Sequence, residues 1–210
     1  IMALIPKQRQ SLLFSATVPN AIKSLAAQLL NNPVEVEVAK QNATAENVSE
    51  RVYGIDREYK RALLSYLIGS NNWKQVLVFT RTKHGADRVA KDLTRAGIHS
   101  QAIHGNKSQT ARQSALTNFK NRKTRVLVAT DIAARGIDID ELTHVINYEV
   151  PNIPETYVHR IGRTGRAGNS GVAWSFVDRE EVPFLRDIQK LIQQEIPVAK
   201  EHPFLPGTHV

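Results

Sequence analysis

The sequence predicts a three-layer α/β fold in which helices cover both faces of a mostly parallel central sheet. Two kinds of segment carry that prediction. Compact apolar runs without alternation, such as QVLVFT (Gln75–Thr80) and RVLVAT (Arg125–Thr130), read as strands buried on both faces. Between such runs lie amphipathic stretches of about a dozen residues that read as helices, and strands alternating with helices build parallel sheets.

The elements follow in order. QSLLFSAT (Gln10–Thr17) is an apolar run expected to form a buried strand. Asn20 is placed to cap the helix AIKSLAAQLL, which stops at Asn31-Asn32-Pro33. VEVEV (Val34–Val38) alternates with period two and reads as a half-exposed strand. AKQNATAENVSE (Ala39–Glu50) is polar and aperiodic, the composition of a linker. After it, RVYGID is a strand and REYKRALLSYLIG a helix ending at Gly69. QVLVFT precedes the helix KHGADRVAKDLTRAG, with Gly97 as its C-terminal cap. HSQAIHG is a short strand, and a helix opens at Ser108 in SQTARQSALTNFK. RVLVAT and THVINYEV are strands, PETYVHRIG is a helix with Pro154 in its first turn, GVAWSFV is a strand, and EEVPFLRDIQKLIQQE closes the pattern as a helix.

Composition narrows the class. A chain of 210 residues with 41% hydrophobic and 23% charged residues is long enough for one domain with a real core and an attached segment. The net charge of +8 suits a polyanionic partner such as nucleic acid, although the same excess could simply solvate the surface. With no cysteine, disulfides, thiolate metal sites and cysteine nucleophiles are excluded. No apolar run approaches the roughly 20 residues of a membrane span. IMALIPKQRQ lacks the layout of a signal peptide, so a cytoplasmic protein is expected, and the start on Ile1 without an initiator Met suggests a fragment.

Ligands on parallel sheets sit beyond the C-terminal strand ends. That rim should hold Thr80–Lys83, His104–Gly105, Thr130–Asp138 and the stretch HRIGRTGRAGNSG (His159–Gly171). In the last stretch Arg160, Arg163 and Arg166 recur every third residue, forks suited to phosphate oxygens. Yet no G-x-x-x-x-G-K-[ST] loop occurs, and no Asp-Glu pair follows an apolar strand where a metal-binding motif would stand. Taken alone the chain should not hydrolyse a nucleotide. DREE (Asp178–Glu181) reads as surface charge opening a helix.

Other rim segments admit two readings each. VATDIAARGIDI offers Gly136 for close backbone approach and Asp138 for a ribose hydroxyl, or is a capped turn. HGNKSQTAR places Gln109 and Arg112 on one helical face beside Gly105, which suits a backbone phosphate or a plain polar face. FTRTKHGAD puts Arg81, Thr82 and Lys83 past a strand, as a phosphate contact or a solvated loop. The seven histidines show no metal-ligand spacing, and Trp73 and Trp174 read as packing residues.

SAT, VLVFTRTK, HGNKSQTAR, ATDIAARGIDI and HRIGRTGR, in this order, resemble successive motifs in the C-terminal half of a DEAD-box RNA helicase of superfamily 2. TRTKHGAD, IHGNKSQ and ATDIAARGIDI look most similar to the bacterial RhlE-type subgroup. The resemblance implies a RecA-like domain. Residues 1–38 would be the tail of a first, ATP-binding RecA-like domain, 39–50 the interdomain linker, 51–196 the second domain and 197–210 a surface tail. It implies Arg163 and Arg166 as arginine fingers on ATP, and Gly136 and Asp138 at the nucleotide. Thr82, Gly105, Gln109, Arg112, Thr130 and Arg135 match positions near the RNA backbone, and Ser15, Thr17 and His159 match coupling residues. Arg160 is then a structural or coupling residue, and the trio of arginines becomes a pair. ATP and Mg²⁺ would be held mainly by the absent first domain, with none bound to this fragment. RNA and that first domain are the implied partners. A non-catalytic nucleic-acid-binding module and a DNA translocase of the same superfamily are the alternatives.

Overall fold

The computed structural model describes residues 5–6, 8–15, 20–36, 47–134, 142–165, 169–199 and 201–204. The chain divides into two units, Ile1–Ala43 and Thr44–Val210.

In the second unit six strands form one parallel sheet: β1 (Val48–Gly54), β2 (Val76–Phe79), β3 (Ser100–Ile103), β4 (Val126–Ala129), β5 (His144–Asn147) and β6 (Gly171–Val177), in the order β1-β6-β5-β2-β4-β3. Parallel neighbours need crossovers, and helices supply them. The first unit contains α1 (Asn20–Leu29), and the second contains α2 (Lys60–Ser70), α3 (Lys83–Arg95), α4 (Gln109–Lys120), the short α5 (Asp131–Ala134), α6 (Pro154–Ile161) and α7 (Val182–Ile192).

The continuous apolar strands are explained by where successive residues go. Val76 and Val78 of β2 pack on one face with Leu63, Leu64 and Leu67 of α2 and Val89 and Leu93 of α3. Leu77 and Phe79 point to the other face, against Ala115 and Phe119 of α4 and Ala133 of α5. A third group joins Val52, Ala173 and Val177 to Tyr157 and Ile161 of α6 and Leu185 and Ile188 of α7. Both faces are therefore covered, as the absence of alternation required. This is the expected three-layer, RecA-like α/β arrangement.

Local signals account for the ends of the helices. At the close of α3, Gly97 has φ +80°, its N–H donates to the Thr94 carbonyl at 3.0 Å, and the Ile98 N–H donates to Leu93 at 2.9 Å. That pair of bonds is the Schellman closure a glycine permits. Ser108 caps α4 by accepting from the Ala111 N–H at 3.2 Å, and Pro154 stands in the first turn of α6.

Several boundaries differ from the sequence reading. β1 begins at Val48, inside the stretch read as linker, because Val48–Glu50 find a parallel partner in β6. Residues 197–199 lie along the free edge of β1: the Val52 N–H donates to Pro197 at 2.9 Å and the Ala199 N–H to Val52 at 2.8 Å. Beyond them Phe204 packs on Tyr59 and Tyr66, a contact its isolated position in the sequence did not announce.

In the first unit Asn20 is the first helical residue rather than the cap. No strand forms among residues 10–15 or 34–36. Leu12 and Phe14 are 69% and 87% exposed, and Val34 and Val36 are exposed as well. A strand is a pairing property, and an apolar run without neighbouring strands cannot satisfy its backbone as a sheet. Ala16 and Thr17 lie outside the described residues, as do Glu37 and Val38.

Candidate functional site at the strand ends

Because all six strands run the same way, their C-terminal ends share one rim, which gathers the polar segments the sequence scattered. Arg160 organises it. At the penultimate position of α6 its side chain is fully buried. Its Nε and Nη2 donate to the two carboxylate oxygens of Asp131 at 2.6 and 2.9 Å. Its Nη1 donates to Asn147 Oδ1 at 3.1 Å and to the Glu149 carbonyl at 2.7 Å. The guanidinium stands 5.1 Å from the centroid of the Phe79 ring. Among the described residues its contacts are to the segments at the ends of β2, β4 and β5, and with Asp131 it forms a bidentate clamp.

Arg163 follows in the turn after α6, half-buried, its backbone N–H on the Arg160 carbonyl at 3.1 Å and its Nε on the His159 carbonyl at 3.4 Å. His159 is half-buried on α6. Thr164 is buried and its hydroxyl donates to the Leu142 carbonyl. Gly165 has φ +68°, and a Cβ there would stand 2.5 Å from Val48 Cγ2, so only glycine fits. Arg166 lies outside the described residues, as do Arg135, Gly136 and Asp138.

After β2, Thr82 caps α3 and its hydroxyl accepts from the Gly85 N–H at 3.0 Å, which leaves the hydroxyl proton to donate outward. The Arg81 N–H donates to Glu149 Oε2 at 2.9 Å, and its Nη2 to Glu181 Oε1 at 3.2 Å. After β3, Gly105 is exposed with open space where a Cβ would be. His104 behind it is buried, its Nε2 3.0 Å from Asp87 Oδ2, while Lys107 Nζ is 2.9 Å from Asp87 Oδ1. Burial pushes the Asp87 carboxyl up, but Lys107 and His104 outweigh it and hold the group below its ordinary value. Gln109 and Arg112 share one face of α4, joined at 3.2 Å. Thr130 ends β4 and its carbonyl accepts from the Ala134 N–H at 3.0 Å. Thr82, Gly105, Gln109, Arg112 and Thr130 thus line the half of the rim made by β2, β4 and β3. Ser15 is exposed in the first unit.

The reading of DREE as surface charge holds for the exposed Arg179 and Glu180 and is corrected for Asp178 and Glu181. Glu181 is fully buried and Asp178 nearly so, and Lys60 of α2, 1% exposed, meets both: 3.0 Å to Asp178 and a direct contact to Glu181. Burial raises the Glu181 carboxyl, opposed by Lys60. Asp178 also opens a capping box across Arg179–Glu181. Sequence reasoning missed Lys60 and Glu181 because their partners lie 121 residues apart. The one available signal was a lysine at a core-facing position of α2. Between α2 and α3 a cavity of about 320 Å³ is lined by Arg57, Lys60, Thr82, Arg88, Tyr148 and Glu149.

Chemically this rim presents fixed cations, a hydroxyl, an amide and an open backbone turn, the groups that hold phosphates. Among the described residues no group of His, Asp or Glu could hold a metal ion, and no helix is long and apolar enough to cross a membrane. The family model described as "Helicase conserved C-terminal domain" matches residues 59–168. The chain is 40% identical over 196 residues to the DEAD-box ATP-dependent RNA helicase CshA of Geobacillus kaustophilus, covering 93% of this chain. The DEAD-box protein SrmB of E. coli, solved bound to regulator of ribonuclease activity A, aligns with a TM-score of 0.72 and 34% identity over 78% of this chain and 96% of that one. Dbp5 of S. cerevisiae, solved bound to RNA and ADP BeF3, aligns with a TM-score of 0.84 and 31% identity over 94% of this chain and 53% of that one. The chain belongs to the DEAD-box RNA helicase family and comprises its C-terminal helicase domain. It spans 26% and 42% of the length of two of the curated relatives it matches.

Proposed function

We propose that the chain is the second RecA-like domain of an ATP-dependent RNA helicase, contributing half of an ATPase site and half of an RNA path, and that it works in the cytoplasm. The observation that supports this reading is the clamp at Arg160, which ties the end of α6 to the segments after β4 and β5, three residues before Arg163. Arg163, with Arg166, would meet the γ-phosphate of ATP held by a first domain, and such arginines are worth about 10³–10⁵ in rate. Gly136 and Asp138 would face the nucleotide. Mg²⁺ would be held by the first domain's half of the site, and no step here passes through it.

Thr82, Gly105, Gln109, Arg112, Thr130 and Arg135 would hold the RNA backbone, giving low sequence specificity. RNA spanning both domains would favour the closed state and make hydrolysis RNA-dependent. Ser15, Thr17 and His159 would couple nucleotide to closure. On this reading residues 1–38 end the first domain, the linker runs from 39, and the subgroup is RhlE-type.

The test is ATP hydrolysis by the full-length protein that carries this chain, with RNA or DNA of one sequence added. Stimulation by RNA at least tenfold above DNA is expected, together with negligible hydrolysis by the 210-residue chain alone. Equal stimulation by DNA would make it a translocase, and no hydrolysis with either polymer a non-catalytic binding module.

A further inference from the structure

The clamp at Arg160 is one end of a longer buried chain of polar groups. Asn147, which accepts from Arg160, donates through Nδ2 to Ser175 Oγ at 3.0 Å, and both residues are fully buried. The Tyr157 hydroxyl, close to Ser175, donates to Glu50 Oε2. Tyr157 is fully buried on α6, one turn before Arg160, and Glu50 is almost buried on β1. The sequence of contacts is therefore Glu50, Tyr157, Ser175, Asn147, Arg160, Asp131, crossing β1, β6 and β5 beneath α6 to the end of β4. Burial, then the Glu50 carboxylate, push the Tyr157 hydroxyl well above its ordinary range, so it remains a donor.

Such a chain is a costly way to fasten a helix. Apolar side chains of the same size would bury α6 as well without desolvating charge. What apolar contacts do not supply is a defined axial and rotational setting, because a greasy face can slip where donor and acceptor geometry cannot. Tyr157 and Arg160 lie on consecutive turns of α6 and fix the helix at two points. Arg163 is the next position in that series, hydrogen-bonded through its backbone to Arg160.

A second contact joins the same two regions. The turn that follows Arg163 rests on the start of β1: Gly165 sits against Val48 with no room for a Cβ, and the Gly171 N–H donates to the Asn47 carbonyl at 2.8 Å. The beginning of β1 thus touches α6 through Glu50 and the arginine turn through Asn47 and Val48.

We infer that Glu50 and Tyr157 are positioning residues for Arg163, holding α6 in the one setting that places its guanidinium for the nucleotide. The inference rests on the helicase reading of Arg163 and goes beyond it by assigning roles to two residues that touch neither nucleotide nor RNA. It also makes the first residues of β1 part of the arginine's support, so whatever pulls on the chain entering at Asn47 bears on the ATPase half-site.

The experiment uses the full-length protein and four variants: Tyr157→Phe, Glu50→Gln, Glu50→Leu and Arg163→Ala. For each, kcat and KM for ATP in saturating RNA, the RNA Kd and the Tm are measured. A misplacement of about 1 Å can cost on the order of 100-fold in rate. Tyr157→Phe is expected to lower kcat by roughly 10- to 100-fold. Its KM and RNA Kd should stay within about twofold, since the arginine acts on the transition state. Glu50→Gln keeps an acceptor for the tyrosine and should retain most of kcat, whereas Glu50→Leu should fall with Tyr157→Phe at similar Tm. Should Tyr157→Phe fail to fold, the Gln and Leu pair decides alone. Wild-type kcat in Tyr157→Phe beside a loss in Arg163→Ala overturns this inference only. Equal kcat for Glu50→Gln and Glu50→Leu does the same. Wild-type turnover in Arg163→Ala overturns the helicase reading of that residue and this inference with it.

Discussion

The two ends of the sheet are built from different materials. At the C-terminal ends Arg160, Lys60, Asp131, Asp178 and Glu181 are buried or half-buried charges, each matched to a partner. Near the starts of β2 and β5 the structure is a stack of rings: Trp73 lies 4.3 Å from His144 and 4.8 Å from Trp174, with Arg51 6.0 Å above Trp174. Burial pushes the pKa of His144 down to about 4. Buried ion pairs add little to stability over apolar packing, whereas buried rings add a great deal. The difference teaches that the ring end holds the sheet together and the charged end is kept for geometry at some cost in stability.

That division can be broken most forcefully at Arg160. Arg160→Leu strands the Asp131 carboxylate and the Asn147 amide, and should cost about 3–5 kcal/mol in denaturant unfolding. It should also abolish RNA-stimulated hydrolysis. Arg160→Lys cannot restore the two-pronged bond and should recover little activity.

Lys60→Met should cost nearly as much at neutral pH, because it leaves Glu181 charged and buried. The sign with pH is specific: a carboxyl raised by burial destabilises the fold as pH climbs from its ordinary value through its raised one. Removing Lys60 raises it further, so the variant should lose more stability at pH 8 than at pH 5.

Smaller effects belong to the ring end. His144 is held neutral in the fold and protonates in the unfolded chain near its ordinary value of 6.5. Its burial therefore costs nothing above that pH and weakens the protein as pH falls from 6.5 toward 4. His144→Phe should flatten that part of the urea-midpoint profile and leave hydrolysis at neutral pH intact. Trp174→Phe should lower stability by roughly 1–2 kcal/mol with turnover unchanged. Loss of turnover in either ring variant at full folding would erase the division.

Two four-residue runs show how far the sequence could be read. Ser11–Phe14 (SLLF) and Val76–Phe79 (VLVF) carry the same signal, yet only the second is a strand, because only it has β4 and β5 beside it. Period and caps were legible since they are local: Gly97, Ser108 and Pro154 sit where the sequence placed them. Part of the rim was legible too, because a parallel sheet sends every strand end one way: Thr82, Gly105 and Thr130 follow the C-terminal ends of β2, β3 and β4. The Lys60–Glu181 and Tyr157–Glu50 contacts were not, since each joins residues more than 100 apart and charge alone reads as solvent-facing. Arg160 was the instructive middle case: its spacing grouped it with Arg163, and its burial separates them.

The central proposal is that Arg163, in the turn after α6, completes another domain's ATPase site. Arg163→Ala in the full-length protein tests it most directly. RNA-stimulated hydrolysis should fall by about 10³-fold or more while Tm and RNA affinity stay near wild type. Hydrolysis at the wild-type rate in a folded, RNA-binding variant would contradict it.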